Sequence, residues 1–192
     1  MQSYKKALNG LLQINFNIIF AYRIKNIMAK RVGILSDTHG YWDERYAAYF
    51  AECDEIWHCG DIGSEEVLTK LETIKPVRAV YGNIDSQNIR LRTVKHQKFQ
   101  IEDVSVWITH IGGYPGHYAK EVLPEIFHRP PQLFISGHSH ILKVMYDKTL
   151  NLLHINPGAA GVYGFHKVRT LVRLTIDGTE FKDLEVIELE EK

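Results

Sequence analysis

Residue types that bind metal ions follow several apolar runs in this sequence. The segment His138–His140 holds two histidines and comes soon after the apolar run Leu133–Ile135, which predicts a short buried strand. Side chains two residues apart on an extended chain point the same way, so both imidazoles are expected on one side. Neutral imidazoles are common ligands of first-row metal ions. A single His-x-His motif is weak evidence, and its interpretation depends on the rest of the chain.

Four upstream segments place similar residues at the ends of predicted strands. They are Asp37-Thr38-His39, Gly60-Asp61, Gly82-Asn83 and His110, which follow predicted strands at 31–36, 55–58, 77–81 and 104–109. The first three strands alternate with helical patterns, which is typical of an α/β fold. In such sheets ligands bind outside the carboxyl ends of the strands. The candidate metal ligands are therefore Asp37, His39, Asp61, Asn83, His110, His138 and His140.

The chemistry of this set favours a pair of divalent ions. It contains two carboxylates, one amide and four imidazoles. A structural zinc site would use thiolates, and a magnesium site built on carboxylates and water would contain less nitrogen. Manganese, iron, nickel or zinc suit the mixture, and seven ligands serve two ions if one carboxylate bridges them.

Composition restricts the class of protein. The chain has 192 residues, of which 45% are hydrophobic and 24% charged, as expected for one globular domain. Its formal net charge is zero, so nothing indicates non-specific nucleic-acid binding. No segment has the length and apolarity of a membrane span. Two cysteines do not make a disulfide framework, and we expect a reducing cytoplasm. The sequence does not decide between a monomer and a homo-oligomer.

Residues 1–28 differ from the rest of the chain. They carry four basic residues and no acidic one, and polar residues interrupt their apolar run. We expect this segment to be a disordered extension, or to be a stretch assigned in error upstream of a true start at Met28. A flexible amphipathic helix is the alternative. Residues 29–192 are expected to form the functional domain.

Further elements are expected along the domain. Ser64 is placed as the cap of a helix that runs to about Ile74, where Pro76 stops it. A helix is predicted around residues 46–50 and another from about His117 to Phe127, interrupted or started late by Pro124. Hairpins are predicted at 99–109, 142–155 and 168–189, the last with an Asp-Gly turn.

The ordered pattern Asp-x-His, Gly-Asp, Gly-Asn, His and Gly-His-x-His resembles the calcineurin-like metallophosphoesterase superfamily. Within it, the sequence is similar to the short single-domain YfcE-like phosphodiesterases, and Asn156-Pro157-Gly158 also resembles that branch. The resemblance covers residues 31–175. It implies an α/β (α+β) fold, a two-layered β-sandwich flanked by helices with the site on one edge.

The resemblance also implies a role for each ligand. Asp37, His39 and His140 would hold one ion. Asn83, His110 and His138 would hold the other, and Asp61 would bridge both. Manganese is expected first, with nickel, iron, zinc or magnesium as alternatives. A water that bridges the two ions would attack phosphorus, positioned by Asp61, Asn83 and His110.

One position departs from many members of the superfamily. Phosphatases of this kind often have a histidine directly after Gly-Asn, thought to protonate the leaving group, whereas this chain has Ile84. We therefore expect a preference for phosphodiesters, or for esters with good leaving groups. A phosphomonoesterase whose acid comes from elsewhere, such as His117, is an alternative.

Other residues are interpreted more simply. His58 is expected to support the site or to pack in the core, His117 to reach substrate or to lie on the surface at a helix start, and Asn156 to support the site or bind substrate. His154 and His166 are expected to be solvated or packed. A non-catalytic scaffold like the retromer subunit of this fold is a further alternative, but that protein has a degraded metal site and all seven positions are intact here.

Overall fold

The computed structural model describes residues 29–191, with side chains as far as Leu189, and two five-stranded sheets form most of it. The sheets stack face to face, and helices lie on the outer faces. The expected two-layered β-sandwich flanked by helices is therefore confirmed. The expectation for residues 1–28 falls outside the described residues.

The first sheet has three parallel strands on one side and an antiparallel pair of strands on the other. It contains β1 (Lys30–Leu35), β2 (Glu55–His58), β3 (Val77–Ala79), β11 (Val168–Asp177) and β12 (Glu180–Glu191). The spatial order is β12-β11-β1-β2-β3. Strands β1, β2 and β3 are parallel, while β11 is antiparallel to both β1 and β12.

The second sheet also has three parallel strands, but they lie at its centre. It contains β4 (His96–Ile101), β5 (Val104–Thr109), β8 (Leu133–Ile135), β9 (Leu142–Asp147) and β10 (Leu152–Pro157). The spatial order is β4-β5-β8-β10-β9, in which β5, β8 and β10 are parallel and the two edge strands are antiparallel. In each sheet, three parallel strands therefore end at the same edge.

A continuous apolar core joins the two sheets. Ile34 and Trp57 of the first sheet belong to the same buried cluster as Ile108 and Ile135 of the second. Burial of such side chains contributes about 1.5–3 kcal/mol each relative to exposure. Because both faces of the parallel strands are buried, their sequences are nearly continuous apolar runs.

Short helices cover the outer faces. They are α1 (Arg45–Phe50), α2 (Glu65–Ile74), α3 (Gln87–Arg92) and α4 (Leu123–His128). The Ser64 hydroxyl accepts a hydrogen bond from the Glu66 amide at 3.1 Å and caps α2. That helix ends before Pro76, because a residue that precedes proline disfavours the helical region. The predicted start and end of α2 are confirmed.

The helix expected between His117 and Phe127 starts late, at Leu123 with Pro124 in its first turn, which confirms the alternative of a late start. His117 and Tyr118 form β7 (His117–Tyr118), which pairs with β6 (Gly113–Tyr114), and the helix begins only at Leu123. Gly113 and Gly116 have φ of 70° and 84°, a left-handed conformation that turns the chain back on itself. Helix α3 was missed, because Ile89 is its only buried residue and gives no periodic pattern.

No helix among residues 29–191 combines the length and the apolarity that crossing a bilayer requires.

His154 of β10 is a deeply buried histidine. It is 0% exposed, and neither ring nitrogen makes a hydrogen bond within the described residues. Its ring packs 5.6 Å from that of Phe134. Burial lowers the pKa of His154 to about 4, so the imidazole is neutral near pH 7.

We predict that His154→Leu makes stability less sensitive to acid. The pKa is lower in the folded chain than the value of about 6.5 in the unfolded chain. The unfolded chain therefore gains a proton first, and wild-type stability falls between about pH 6.5 and pH 4, by roughly 3 kcal/mol from this residue. Urea unfolding of the metal-free protein across this range should show a shallower decline in the variant. Exposed His128→Gln is the control, and equal declines in all three proteins would contradict the prediction.

Candidate metal centre

The seven candidate ligands lie in loops at one edge of the sandwich. Asp37 follows β1, Asp61 follows β2 and Asn83 follows β3, while His110 follows β5 and His138 follows β8. Hydrogen bonds join neighbouring loops across this edge. The Asp37 amide donates to Gly60 O at 3.0 Å, and the Gly137 amide donates to His110 O at 2.9 Å. The parallel strand ends thus bring distant sequence segments together.

The first group consists of Asp37, His39 and His140, whose ligand atoms lie within 4.8 Å of one another. His140 Nε2 is 3.2 Å from Asp37 Oδ1 and 3.2 Å from His39 Nε2. Asp37 is 0% exposed, and its Oδ1 makes no hydrogen bond within the described residues. A buried carboxylate oxygen that faces two imidazole nitrogens fits a bound cation.

The second group consists of Asp61, His110 and His138, again within 4.8 Å. His110 Nε2 lies 3.2 Å from Asp61 Oδ1 and 3.1 Å from Asn83 Oδ1. When His110 is neutral and its Nδ1 carries the proton, these three atoms are all electron-pair donors. Their convergence requires a shared proton or a cation, so this group also fits a metal ion.

Asp61 lies between the two groups. Its Oδ1 faces His110 Nε2 at 3.2 Å, whereas its Oδ2 faces His39 Nε2 at 3.8 Å. One carboxylate therefore presents one oxygen to each set of ligands. The structure thus contains two candidate metal sites that have the Asp61 carboxylate between them, and all seven residues selected from the sequence lie there.

Hydrogen bonds to the remote ring nitrogens orient the imidazoles. His110 Nδ1 lies 2.8 Å from Cys59 O, so Nδ1–H donates and the Nε2 lone pair points into the site. His140 Nδ1 lies 3.3 Å from His166 Nδ1, and His166 Nε2 lies 3.0 Å from Gly161 O. These two hydrogen bonds in series place a proton on His140 Nδ1 and leave its Nε2 free for a metal ion.

The pKa values reflect burial balanced by opposite charge. Burial alone would raise the pKa of Asp61, but the hydrogen bond and charge of His110 and the Ile84 amide outweigh it and lower the pKa. Burial would lower the pKa of His110, but Asp61 and Asp37 raise it. Burial lowers the pKa of His39. Positive charge is therefore favoured beside Asp61, and a bound cation would supply it in place of a protonated His110.

The backbone is strained at most of the ligands. Five of the seven have positive φ values between 48° and 68°: Asp37, His39, Asp61, His138 and His140. Such conformations cost an L-residue roughly 1–3 kcal/mol and concentrate at functional sites. Two glycines clear space beside the ligands. A Cβ at Gly60 would lie 2.6 Å from His110 Nδ1, and one at Gly82 would lie 2.0 Å from Asp61 Oδ1.

Asp85 and Arg90 hold the loop that carries Asn83. The Asp85 carboxylate accepts the Gly63 amide at 2.7 Å and the Gly82 amide at 2.8 Å. The Arg90 guanidinium donates to the carbonyls of Gly82, Asn83 and Asp85 at 3.1, 3.3 and 2.8 Å. Arg90 was missed from the sequence, where it belongs to no motif.

His58 supports the site from below. Its Nε2 lies 2.9 Å from Thr38 Oγ1, and its Nδ1 accepts the Gly60 amide at 3.2 Å. Burial lowers the pKa of His58 to about 4, so the ring is neutral. Both ring nitrogens are engaged with protein groups, and the ring joins two ligand-bearing loops instead of facing the metal groups.

Asn156 and His117 have different surroundings. The Asn156 amide donates to Gly137 O at 2.8 Å and to Ser139 Oγ at 3.1 Å, and its oxygen accepts the Gly158 amide at 3.0 Å. Asn156 therefore fixes the turn that carries His138 and His140. His117 is exposed and belongs to neither metal group, but it lines a cavity beside His138.

A cavity of about 480 Å³ opens above the metal groups and has an apolar mouth. Four exposed apolar side chains line it: Ile84, Ile141, Tyr163 and Phe165. The Tyr163 ring lies 5.0 Å from the His39 ring. The position above both groups makes this cavity the entrance to the candidate metal centre.

We predict that His166→Ala weakens the binding of one of two metal ions. His140 then loses the acceptor that orients its ring, and loss of such a partner lowers metal affinity about 10–100-fold. Calorimetric titration of metal-free protein with Mn²⁺ should show one weakened site and one unchanged site. The exposed His128→Ala variant is the control. Two unchanged sites in His166→Ala would contradict the role of His166, which the sequence did not reveal because it has no ligand spacing.

Comparisons with known proteins agree with this geometry. A sequence model of the calcineurin-like phosphoesterase superfamily domain matches residues 31–179. A probable metallophosphoesterase of Methanothermobacter thermautotrophicus is 31% identical over 163 residues, which cover 81% of this chain and 91% of that protein.

Solved structures share the fold. The structure of a novel archaeal phosphodiesterase is 25% identical, has a TM-score of 0.65 and covers 83% of this chain and 99% of its own. Wild-type Vps29 of Entamoeba histolytica, complexed with Zn²⁺, is 15% identical with a TM-score of 0.64, over 83% of this chain and 98% of its own. The second likeness concerns the fold alone. With the family match over most of its length and two candidate metal sites at the expected edge, the chain belongs to the calcineurin-like phosphoesterase superfamily.

Proposed function

We propose that this protein is a phosphodiesterase that hydrolyses a small phosphoester with the help of two divalent metal ions. The orientation of Asp61 is the observation that supports this proposal most directly, because each of its oxygens faces a different ligand group. A carboxylate in this position would hold two ions at a short, fixed separation. The likeness to an archaeal phosphodiesterase adds support for the ester class.

The ligands and the ions have separate tasks. When bound, a pair of divalent ions would supply the positive charge that activates water and stabilises the phosphoryl oxygens. Asp37, His39 and His140 would hold one ion, and Asn83, His110 and His138 the other. Cys59 O and the His166 ring keep the imidazoles of His110 and His140 in the orientation that this requires.

Side chains near the site are poor nucleophiles, which favours attack by water. Cys59 is 0% exposed, and burial raises the pKa of its thiol well above the ordinary value. The Ser139 hydroxyl accepts hydrogen bonds from the Asn156 amide at 3.1 Å and from the Ile141 backbone amide at 3.3 Å. In the part of the chain that the structure describes, no base lies among its hydrogen-bond partners to activate it.

Ile84 favours diesters and good leaving groups. Its backbone amide donates to Asp61 Oδ1 at 3.1 Å, while its side chain lines the metal cavity and is 48% exposed. An isoleucine cannot protonate a leaving alkoxide. The apolar mouth formed with Tyr163 and Phe165 suits an ester whose arm is aryl or otherwise apolar.

We further propose manganese as the resident metal and the cytoplasm as the location. Imidazole, carboxylate and amide ligands together accept several divalent ions, of which manganese suits a set rich in both nitrogen and oxygen. Cys53 and Cys59 are both buried free thiols, which agrees with a reducing compartment.

We predict that Asp61→Asn abolishes metal-dependent diesterase activity. The amide keeps the shape of the side chain but loses the negative charge that would hold two ions, so the rate should fall at least about 10³-fold. The metal content should fall below two ions per chain. Hydrolysis of bis(p-nitrophenyl) phosphate and elemental analysis measure the two effects. The exposed Asp103→Asn variant is the control, and retained activity in Asp61→Asn would remove the bridging role.

We predict that an aryl diester is hydrolysed faster than an alkyl monoester and that Ile84→His narrows the difference. General acid catalysis contributes about 10²–10⁴-fold, so a histidine at this position should accelerate the alkyl monoester selectively. Steady-state kinetics on bis(p-nitrophenyl) phosphate and an alkyl phosphate measure the ratio. Leu91→His, at a position that is 75% exposed, is the control. Faster turnover of the alkyl monoester by the wild type would reject the diester preference.

A further inference from the structure

A second cavity, of about 340 Å³, lies next to the metal centre. It shares His138, Ser139 and Ile141 with the cavity above the metal groups. Its far side is formed by the β6–β7 hairpin and by Lys143 of β9. A molecule whose phosphoryl group lies at the metal centre could therefore extend an arm over His138 into this space.

The charge of this cavity is one-sided. Lys143 is the cation that lines it, and no aspartate or glutamate is among its lining residues. Lys143 is half-buried and forms no ion pair with a residue that the structure describes. Its ammonium lies 3.3 Å from the centre of the Tyr114 ring. A lysine held against an aromatic face without a carboxylate is available to an anion.

The position of Lys143 is fixed by the sheet. In the β9–β10 register Lys143 lies opposite Asn156, whose amide holds the turn beside His138. On the other side, Tyr114 pairs with His117 across the hairpin, and their rings lie 5.0 Å apart. The backbone of Lys143 is thus held next to the metal ligands, and Tyr114 and His117 of the hairpin line the same cavity.

We propose that this cavity, defined by Lys143, Tyr114 and His117, binds a second phosphate group of the substrate. The inference rests on the proposed function and names its substrate class: a phosphodiester with one arm that ends in a phosphate. The diester phosphate lies at the metal centre, and the terminal phosphate lies against Lys143. The terminal phosphate takes no part in bond breaking and contributes binding and orientation.

The kinetic test uses two diesters with the same leaving group. These are p-nitrophenyl ethyl phosphate and the analogue whose ethyl arm carries a terminal phosphate. With manganese-loaded protein we expect kcat/KM to be at least about tenfold higher for the analogue. Lys143→Gln should remove this preference, and the exposed Lys148→Gln, near the end of the same strand, should retain it. A ratio near one in the wild type, or an unchanged ratio in Lys143→Gln, would overturn the inference.

A binding measurement separates this inference from the proposed function. Calorimetry compares ethane-1,2-bisphosphonate with ethylphosphonate, neither of which can be hydrolysed at a phosphoester bond. We expect Lys143→Gln to lose about tenfold affinity for the bisphosphonate relative to ethylphosphonate, with Lys148→Gln unchanged. Equal effects on both ligands would overturn the subsite. Failure of the wild type to hydrolyse either diester would contradict the proposed function, while the calorimetric ratio would still decide the subsite.

Discussion

The structure depends on the burial of two carboxylates among four imidazoles at one edge of a sandwich. Asp37 and Asp61 are both almost inaccessible, and one oxygen of Asp37 has no hydrogen-bond partner within the described residues. An isolated charge in such a position costs several kcal/mol, so carboxylates persist there only when cations or donors compensate them. Partial compensation comes from the protein, since His110 and the Ile84 amide lower the pKa of Asp61. Two divalent ions would neutralise the negative charge that remains where the lone pairs of these oxygens and nitrogens converge.

This arrangement also requires unfavourable backbone conformations. Five ligands occupy the left-handed region, and Gly60 and Gly82 leave no room for a Cβ beside His110 and Asp61. Loops with such conformations stay formed only when the surrounding structure determines them. Here the determinants are the parallel strands beneath, the hydrogen bonds between loops, and buried polar residues such as His58 and Asp85 that line neither of the two cavities at the site. The polar layer under the ligands therefore matters as much for the site as the ligands.

Much of the fold and most of the site could be predicted from the sequence, because both have local signals. Buried parallel strands are apolar runs, and each is followed by a short motif at a fixed offset. Other features lack such signals. Helix α3 buries a single side chain, and the β6–β7 hairpin depends on left-handed glycines at 113 and 116, so neither has a period to detect. His166 and Arg90 act through hydrogen bonds to residues that are distant from any motif spacing, His166 to His140 and Arg90 to the backbone of the loop that carries Asn83. Periodicity alone also did not divide the strands into two sheets.

Ile84 shows how the reaction can change while the metal centre is kept. The residue contributes to the site in two separable ways: its amide holds Asp61, and its side chain lines the cavity. The amide contribution is independent of residue type, and the loop around it is fixed by Asp85 and Arg90 through backbone groups. A histidine or an isoleucine at this position would therefore leave the ligand geometry the same. The two residues would differ only in whether they can protonate the leaving group. Conversely, Lys143 lies on a strand that carries no metal ligand, so specificity for a remote group can vary without strain at the ions. In the function that we propose, the groups that hold charge at phosphorus are thus separate from those that select the ester.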